Sequence, residues 1–214
     1  MGALKTYKVK EIFYSIQGEG YHSGRPAVFC RFTGCNLWSG KEKDRSNAIC
    51  NWCDTDFCGI DGENGGTYTA KALVEKILEL WVKEYSEPPF VVFTGGEPLL
   101  QLDIPLIKAA KEKGIYVAIE TNGTRPCPPG IDWVCVSPKQ KAKMVLKQGN
   151  ELKLVHPQPD SEPAVYTDMD FDYFFLQPLD NEFNKQNIRI CLDYCLSHPL
   201  WKLSLQVHKV LGVK

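Results

Sequence analysis

Residues 34–55, GCNLWSGKEKDRSNAICNWCDT, constrain this chain more than any other stretch. Cys35 is followed by fourteen residues and then by the close pair Cys50 and Cys53. Two cysteines three apart turn both sulfurs toward one centre with little backbone strain, and a third arriving from an apolar run completes a three-thiolate face. Three soft donors suit an iron–sulfur cluster or zinc. Three protein ligands leave one iron of a four-iron cluster open to a small molecule, whereas structural zinc takes a fourth protein ligand. On this stretch alone a cluster, a zinc site and unligated thiols all stay open.

A chain of 214 residues is long enough for one sizeable core and short for two, so a single domain over 1–214 is expected. A formal net charge of −1 gives no support for nucleic acid or an anionic membrane as partner. The start, MGALKTYKVKEIFYSIQGEG, has no continuous apolar segment with a small-residue cleavage site, and no later window approaches a membrane span. The expectation is a soluble, cytoplasmic chain whose nine cysteines are reduced thiols or ligands. Cys30, Cys58, Cys127, Cys135, Cys191 and Cys195, outside the triad, are expected as small core hydrophobes.

Along the chain, apolar residues from Lys8 to Ile16 predict an extended segment broken by Gln17-Gly18-Glu19-Gly20, a hairpin turn or a ligand-contacting loop. Pro26 to Thr33 reads as a buried strand leading to Cys35. Arg31 inside it needs an anion, either a substrate carboxylate or a structural acid. The excursion from Asn36 to Ile49 is polar, with a short helix expected near Lys41 to Asn47. Asp54, Asp56 and Gly59 mimic a calcium loop, but Cys58 and Gly65 occupy the wrong positions for one. Thr55 either makes a local turn hydrogen bond or offers a hydroxyl to Mg²⁺. Residues 61–66 read as a connector, and 69–85 as a helix capped by Thr69 and stopped by Pro88-Pro89. Phe90 to Phe93 predicts a strand entering Thr94-Gly95-Gly96-Glu97, where glycines admit a ligand to the backbone and Glu97 can meet an ammonium group. Asp103-Ile104-Pro105 opens the next helix and Gly114 closes it.

Further strands are expected at Ile115–Glu120, Trp133–Val136, Glu151–Val155 and Tyr173–Leu176, then a helix over Asn187–His198 and a strand over Lys202–Val207 ending at His208. Polar residues recur at the strand ends: Glu120 and Asn122, Ser137-Pro138-Lys139, Gln177-Pro178-Leu179-Asp180. A parallel α/β sheet binds its ligand at that edge. About seven strands with three long helices are too few elements for a full eight-stranded barrel, so the expected fold is α/β, an incomplete, open (β/α) barrel. No phosphate-binding P-loop is present, because Gly40-Lys41 falls one place too late after Gly34 and is followed by Glu42.

The cysteine triad with Trp52 in its C-x-x-C, the Gly95-Gly96-Glu97 motif after the next strand and the early FYSIQGEG together resemble the 7-carboxy-7-deazaguanine synthases, radical S-adenosylmethionine enzymes of queuosine and other 7-deazapurine biosynthesis. The superfamily usually has three residues between the first two cysteines. The fourteen found here match a subgroup with an enlarged loop. The resemblance implies a [4Fe-4S] cluster on Cys35, Cys50 and Cys53, with S-adenosylmethionine on its open iron. It implies that Gly95, Gly96 and Glu97 receive the methionine ammonium, that Trp52 lies near the adenine, and that Ser137 to Lys139 and Gln177 to Asp180 hold the rest, with Glu120 and Asn122 on the same rim. A 5'-deoxyadenosyl radical would take hydrogen from C6 of 6-carboxy-5,6,7,8-tetrahydropterin. Ring contraction with loss of ammonia would follow. Ile16, Gln17, Gly18, Glu19, Arg31, Thr94 and His208 correspond to substrate contacts, Thr55 to a Mg²⁺ ligand, and Lys214 to a chain-end carboxylate contact. A homodimer and a flavodoxin-like or ferredoxin-like electron donor are also implied. The other readings are a glycyl-radical-activating enzyme and a zinc-stabilised binding module with Cys30 or Cys58 as fourth ligand.

Overall fold

Side chains alternate in and out along every strand, and that alternation divides the chain into an outer core and a lined interior. A computed structural model describes residues 4–82 and 87–214. Its strands are β1 (Thr6–Ile16), β2 (Pro26–Phe32), β3 (Gly66–Thr69), β4 (Phe90–Gly95), β5 (Tyr116–Thr121), β6 (Trp133–Val136), β7 (Gln148–His156), β8 (Asp170–Pro178) and β9 (Trp201–Leu203). They form one sheet in the order β3-β1-β2-β4-β5-β6-β7-β8-β9. From β2 to β9 each neighbouring pair is parallel, while β1 pairs antiparallel with β2 and β3. The order has two edges and does not close on itself, the open barrel expected from the scarcity of helices.

Outward residues of β1, β2, β4 and β5, among them Ile12, Val28, Cys30, Phe93 and Ile119, pack under helices α1 (Ala70–Leu80) and α2 (Ile104–Lys111). Leu152, Phe174 and Leu176 do the same with Cys191 of α3 (Asn184–Ser197). Inward residues are apolar at the strand starts, where Phe13, Ala27, Phe29, Phe90, Val92 and Ala118 form a separate cluster. Helix α1 begins where the Thr69 side chain accepts the Ala72 N–H, and buries Leu73, Val74 and Ile77 on one stripe. A last short helix, α4 (Val207–Leu211), follows β9. No helix among the described residues is long and apolar enough to cross a membrane.

Several boundaries differ from expectation. Between the connector expected at 61–66 and the helix expected from Thr69 stands a strand not foreseen, β3, because Gly66 to Thr69 find the free edge of β1 at Thr6 to Val9. Nine strands replace about seven. The final strand stops at Leu203: Ser204 N–H bonds Leu176 O, the chain turns, and His208 stands in α4 instead of at a strand end. Helix α1 ends at Leu80 with Trp81 extended, and residues 83–85 of the longer helix expected lie outside the described residues. Cys30, Cys135 and Cys191 are buried as core hydrophobes, but Cys127 and Cys195 are half-buried and Cys58 is exposed.

Asp103 joins β1 to α2: its Oδ1 accepts Tyr7 Oη at 2.6 Å and the Leu106 N–H at 3.2 Å, and Oδ2 accepts Lys5 Nζ at 2.6 Å. Burial alone would raise its carboxyl, but the hydrogen bonds from Lys5 and Tyr7 outweigh that and hold it below the usual range. Asp103→Ala is expected to lower unfolding free energy by about 1–3 kcal/mol in chemical denaturation at neutral pH, from a lost cap and an orphaned tyrosine hydroxyl. Because the folded-state carboxyl is depressed, the deficit is full above the ordinary carboxylate range and shrinks as pH falls through it.

Candidate active site

Continued inward, the same alternation turns polar at the C-terminal strand ends. Arg31 follows Ala27 and Phe29, Thr94 follows Phe90 and Val92, Glu120 follows Ala118, and Lys153 and Gln177 come from β7 and β8, opposite Phe175 and Val155 in the register. These residues line a cavity of about 450 Å³, large enough for a cofactor or a drug-sized ligand. Ile16, Gln17, Gly18 and Glu19 close one side of it, on the loop between β1 and β2. That loop is therefore both a hairpin connection and part of a ligand wall.

The cysteine excursion is a small folded unit of its own. Leu37, Trp38 and Phe57 are buried, with Trp38 edge-on to Phe57 at 5.6 Å between ring centres. Leu37 O takes Ile49 N–H at 3.1 Å and Cys50 N–H at 3.4 Å, which returns the excursion to Cys35. The Arg45 guanidinium lies 4.0 Å over the Trp38 ring and donates to Asn51 O and Cys53 O at 3.1 and 3.0 Å. A single-turn helix at Glu42–Asn47 stands where a short helix is expected.

Cys35 Sγ accepts the Leu37 N–H at 3.4 Å. The Cys53 thiol is pulled down to about 6, chiefly by a hydrogen bond from Cys50, with burial opposing and the Thr55 N–H assisting. Cys50 is raised by the same bond and by burial, and Cys35 by burial. Sulfurs that accept backbone N–H bonds, one of them poised as a thiolate, form a donor set that fits an iron–sulfur cluster. Among the described residues, no three His, Cys, Asp or Glu side chains converge closely enough to hold one metal ion. A four-iron cluster spreads its ligands over different irons and does not need that convergence.

Beside this unit, the Gly95-Gly96 loop is fitted to the cysteine loop at backbone distance. The Glu97 N–H bonds Gly34 O at 2.9 Å. A Cβ on Gly96 would stand 2.3 Å from Gly34 O and 2.7 Å from Cys35 Cβ, so only glycine fits. Glu97 itself is fully buried behind the cavity wall. Its carboxylate takes the Leu99 N–H and the Thr121 hydroxyl on Oε1 at 2.9 and 2.7 Å and the Asn122 N–H on Oε2 at 2.8 Å, a staple between the ends of β4 and β5 with which the expected ammonium contact would share Oε2.

Trp52, Thr55, Ser137 and Lys139 border the cavity next to Cys50 and Cys53, and Asn122 borders it from the end of β5. Lys139 Nζ bonds Ser137 Oγ at 2.6 Å and sits 5.3 Å over the Trp52 ring. The Trp52 Nε1 is buried with no partner among the described residues. An orphaned indole N–H at a cavity wall fits a polar ligand group such as a nucleoside base.

Arg31 is the cation on the wall with donors to spare: its Nε donates to Glu11 at 2.9 Å, while no described side chain takes its terminal nitrogens. Lys10, Lys209 and Lys214 also line the cavity, each already paired with acids: Lys10 with Asp56 and Asp61, Lys209 with Asp54 and Asp180, Lys214 with Glu11 and Glu63. Lys153, nearly fully buried, pairs with Glu19 and with Glu120. Burial raises the Glu19 carboxyl, but Lys153 charge and its hydrogen bonds overcome it and hold Glu19 at about 2. Burial would lower the Lys153 ammonium, but Glu120 and Glu19 hold it well above its ordinary value.

Of the residues singled out from sequence, Cys35, Glu97, Pro138, Pro178, Leu179 and Asp180 lie off the cavity wall. Cys35 faces Gly96. Pro138 O accepts Gln158 Nε2, Pro178 pairs with His156 inside the sheet, and the Leu179 backbone bonds His156 and Asn187. Asp180 pairs with Lys209, which also holds Asp54 at 2.8 Å. His208 and Lys214 reach the wall from α4 and the chain end. Lys153, Glu11, Gln206 and Lys209 were not singled out. Lys153 carries the signal that marks Arg31, a cation inside an apolar strand, in ELKLV.

No protein-family model matches the chain. It is 54% identical over 209 residues to the 7-carboxy-7-deazaguanine synthase of Burkholderia multivorans, covering 97% of this chain and 99% of that one. It is 50% identical over 210 residues to the protein of that name from Bradyrhizobium diazoefficiens, covering 98% and 100%. The crystal structure of QueE from Escherichia coli superposes with a TM-score of 0.69 at 27% identity, covering 95% of each chain.

Gly96→Ala is expected to push the two loops apart, and anaerobically reconstituted protein should hold less than about half the wild-type iron per chain, a penalty typical of core overpacking. Iron assay and visible absorbance check it; full loading would show that the loops separate without disturbing the thiols.

Proposed function

This chain belongs to the family of 7-carboxy-7-deazaguanine synthases, and we propose that it converts 6-carboxy-5,6,7,8-tetrahydropterin to 7-carboxy-7-deazaguanine with loss of ammonia. Membership makes it a radical S-adenosylmethionine lyase with an iron–sulfur cluster, and sets aside the protein-activating and zinc-module readings. Bound together, the cluster and S-adenosylmethionine supply one-electron cleavage of a sulfonium and hence a carbon radical able to take hydrogen from the substrate.

The observation that carries the substrate assignment is the polarity of the cavity: a guanidinium with free terminal nitrogens from β2, and buried carboxylates from the β1–β2 loop and β5, on a wall that Cys50 and Cys53 also line. The substrate has a carboxylate at one end and a row of N–H donors at the other, so each end meets its complement. Arg31 binds the carboxylate, supported by its register opposite Thr94 on the cavity wall. Phe13 and Phe29, stacked at 5.3 Å, give the ring an apolar wall that excludes water. Ile16 to Glu19 and His208 complete the enclosure.

Cys35, Cys50 and Cys53 ligate the cluster in this reading. Gly95 and Gly96 bring backbone to the methionine end of S-adenosylmethionine, Trp52 offers its free N–H toward the adenine, and Ser137, Lys139, Asn122 and Gln177 hold the remainder. Thr55 presents a hydroxyl for Mg²⁺ beside Asp54, a set of hard oxygens that such an ion prefers. Ser15 Oγ bonds Lys214 O at 2.6 Å and Lys214 Nζ pairs with Glu63 at 2.9 Å, which supports a chain-end contact at the cavity. A homodimer and a flavodoxin-like or ferredoxin-like donor belong to the same reading.

Anaerobically reconstituted protein given dithionite, S-adenosylmethionine, Mg²⁺ and the carboxypterin should release the deazapurine; a fully loaded cluster that gives none would reject the assignment. Cys50→Ser should abolish the visible cluster band, whereas Cys191→Ser, in the outer core, should leave it intact. A complete cluster in the first variant would mean that other residues are the ligands.

A further inference from the structure

We propose that Lys153 is a positioning residue for the substrate: it pins Glu19 and one oxygen of Glu120, so that the second oxygen of Glu120 is the acceptor presented to the N–H edge of a 2-amino-4-oxopyrimidine ring. The inference rests on the substrate class assigned above and extends it to a residue that no sequence motif marks.

Lys153 lies on the inward face of β7 with Glu151 and Val155, between the outward Leu152 and Leu154. Its side chain is 4% exposed. A buried ammonium is tolerated only when it is paired, and three carboxylates surround this one: Glu19 from the β1–β2 loop, Glu120 from β5 and Glu151 from β7. Cys135 of β6 faces the group too, and His208 of α4 acts on Glu19.

Counting oxygens separates the three acids. Glu19 spends one oxygen on Lys153 and the other on Gln206 Nε2 at 2.9 Å. Glu151 has Cys135 Sγ at 3.5 Å on one oxygen, and the Tyr21 N–H and Trp133 Nε1 at 3.2 Å on the other. Glu120 Oε1 receives Gln17 Nε2 at 2.9 Å and Lys153 Nζ at 3.4 Å. No donor among the described residues reaches Glu120 Oε2, and Glu120 borders the cavity. Glu19 is thereby a support, and Glu120 is the acceptor with an oxygen to give.

Glu19 and Glu120 on the cavity wall against one ammonium, with Glu151 behind them and its carboxyl raised by burial, leave an acidic pocket floor, complementary to ring N–H donors and repellent to a second carboxylate. Such a floor fixes which way round the ring enters, with its carboxylate toward Arg31. Without Lys153 the acids repel one another and take up a proton, which removes the acceptor or turns it away.

The test uses the reconstituted enzyme with S-adenosylmethionine and Mg²⁺, and 6-carboxypterin as a fluorescent probe that lacks the C6 hydrogen and does not turn over. Wild-type affinity should change little between pH 5.5 and 7.5, where Glu19 stays ionised. Lys153→Met should bind at least about tenfold more weakly at pH 7.5, from the loss of a charge-assisted hydrogen bond, and weaker still toward pH 5.5. Lys153→Arg should recover most of the affinity, and in turnover Lys153→Met should raise KM more than it lowers kcat. Glu120→Gln, close in shape and keeping the fold, should also bind at least about tenfold more weakly. Wild-type affinity with an unchanged pH profile in a folded Lys153→Met protein, or wild-type affinity in Glu120→Gln, overturns the proposal. Should Lys153→Met fail to fold, Lys153→Gln, neutral and still able to hydrogen-bond an acid, takes its place with the same two outcomes. A wild-type enzyme that ignores the probe overturns the substrate assignment, and this inference with it.

Discussion

The register between β2 and β4 sets Arg31 opposite Thr94 and Phe32 opposite Gly95, and the parallel pairing that continues to β9 brings the C-terminal strand ends to one edge of the sheet. Because successive side chains point to opposite faces, a strand whose outer residues pack under a helix has no choice about which residues enter the barrel. Burial of Val28, Cys30 and Phe32 outside commits Ala27, Phe29 and Arg31 inside. A one-residue slip of β2, β5 or β7 would turn Arg31, Glu120 or Lys153 into the outer core, so the outer packing fixes the chemistry of the cavity.

The fourteen-residue excursion solves a different problem, holding three sulfurs at the edge of a sheet without a strand to carry them. Its stability comes from Trp38 against Phe57, from the Arg45 guanidinium over the indole, and from Leu37 O closing the return. Arg45 also reaches the carbonyls of Asn51 and Cys53, so one side chain spans the excursion and the cysteine pair. Charged residues that read as solvated loop in the sequence thus include the tie that shapes the loop.

Much of the fold and a good part of the site were legible because they rest on local pattern. Thr69 and Asp103 announce helix starts through side chains that bond N–H groups three residues on, and β6 falls at the predicted Trp133–Val136. What was not legible depends on partners far along the chain. Gly66 to Thr69 is a strand only because β1 leaves an edge free, and Glu97 is a staple because Thr121 and Asn122 arrive at the end of β5 to bond one of its oxygens each. Lys153 offered a signal, a cation between two leucines, but its meaning lies in acids 33 and 134 residues earlier in the chain.

An open barrel must also keep water from entering along its unpaired seam. Here β9 is only three residues long, and no strand bonds it to β1. The segment that follows does the sealing with individual bonds to the β1–β2 loop. Ser204 Oγ takes the Gly20 N–H, the Val207 N–H bonds Gly18 O, and Gln206 holds Glu19. Gly18 has to lack a side chain, since a Cβ there would stand 2.1 Å from the His208 ring. Lys209 then joins Asp180 at the end of β8 to Asp54 beside the cysteine pair, and Ser15 anchors the last residue. A short, irregular closure of this kind leaves Gln206, His208, Lys209 and Lys214 on the cavity wall. A full-length β9 would have presented alternating side chains in their place, so the early end of β9 is what lets Gln206, His208 and Lys209 reach the site.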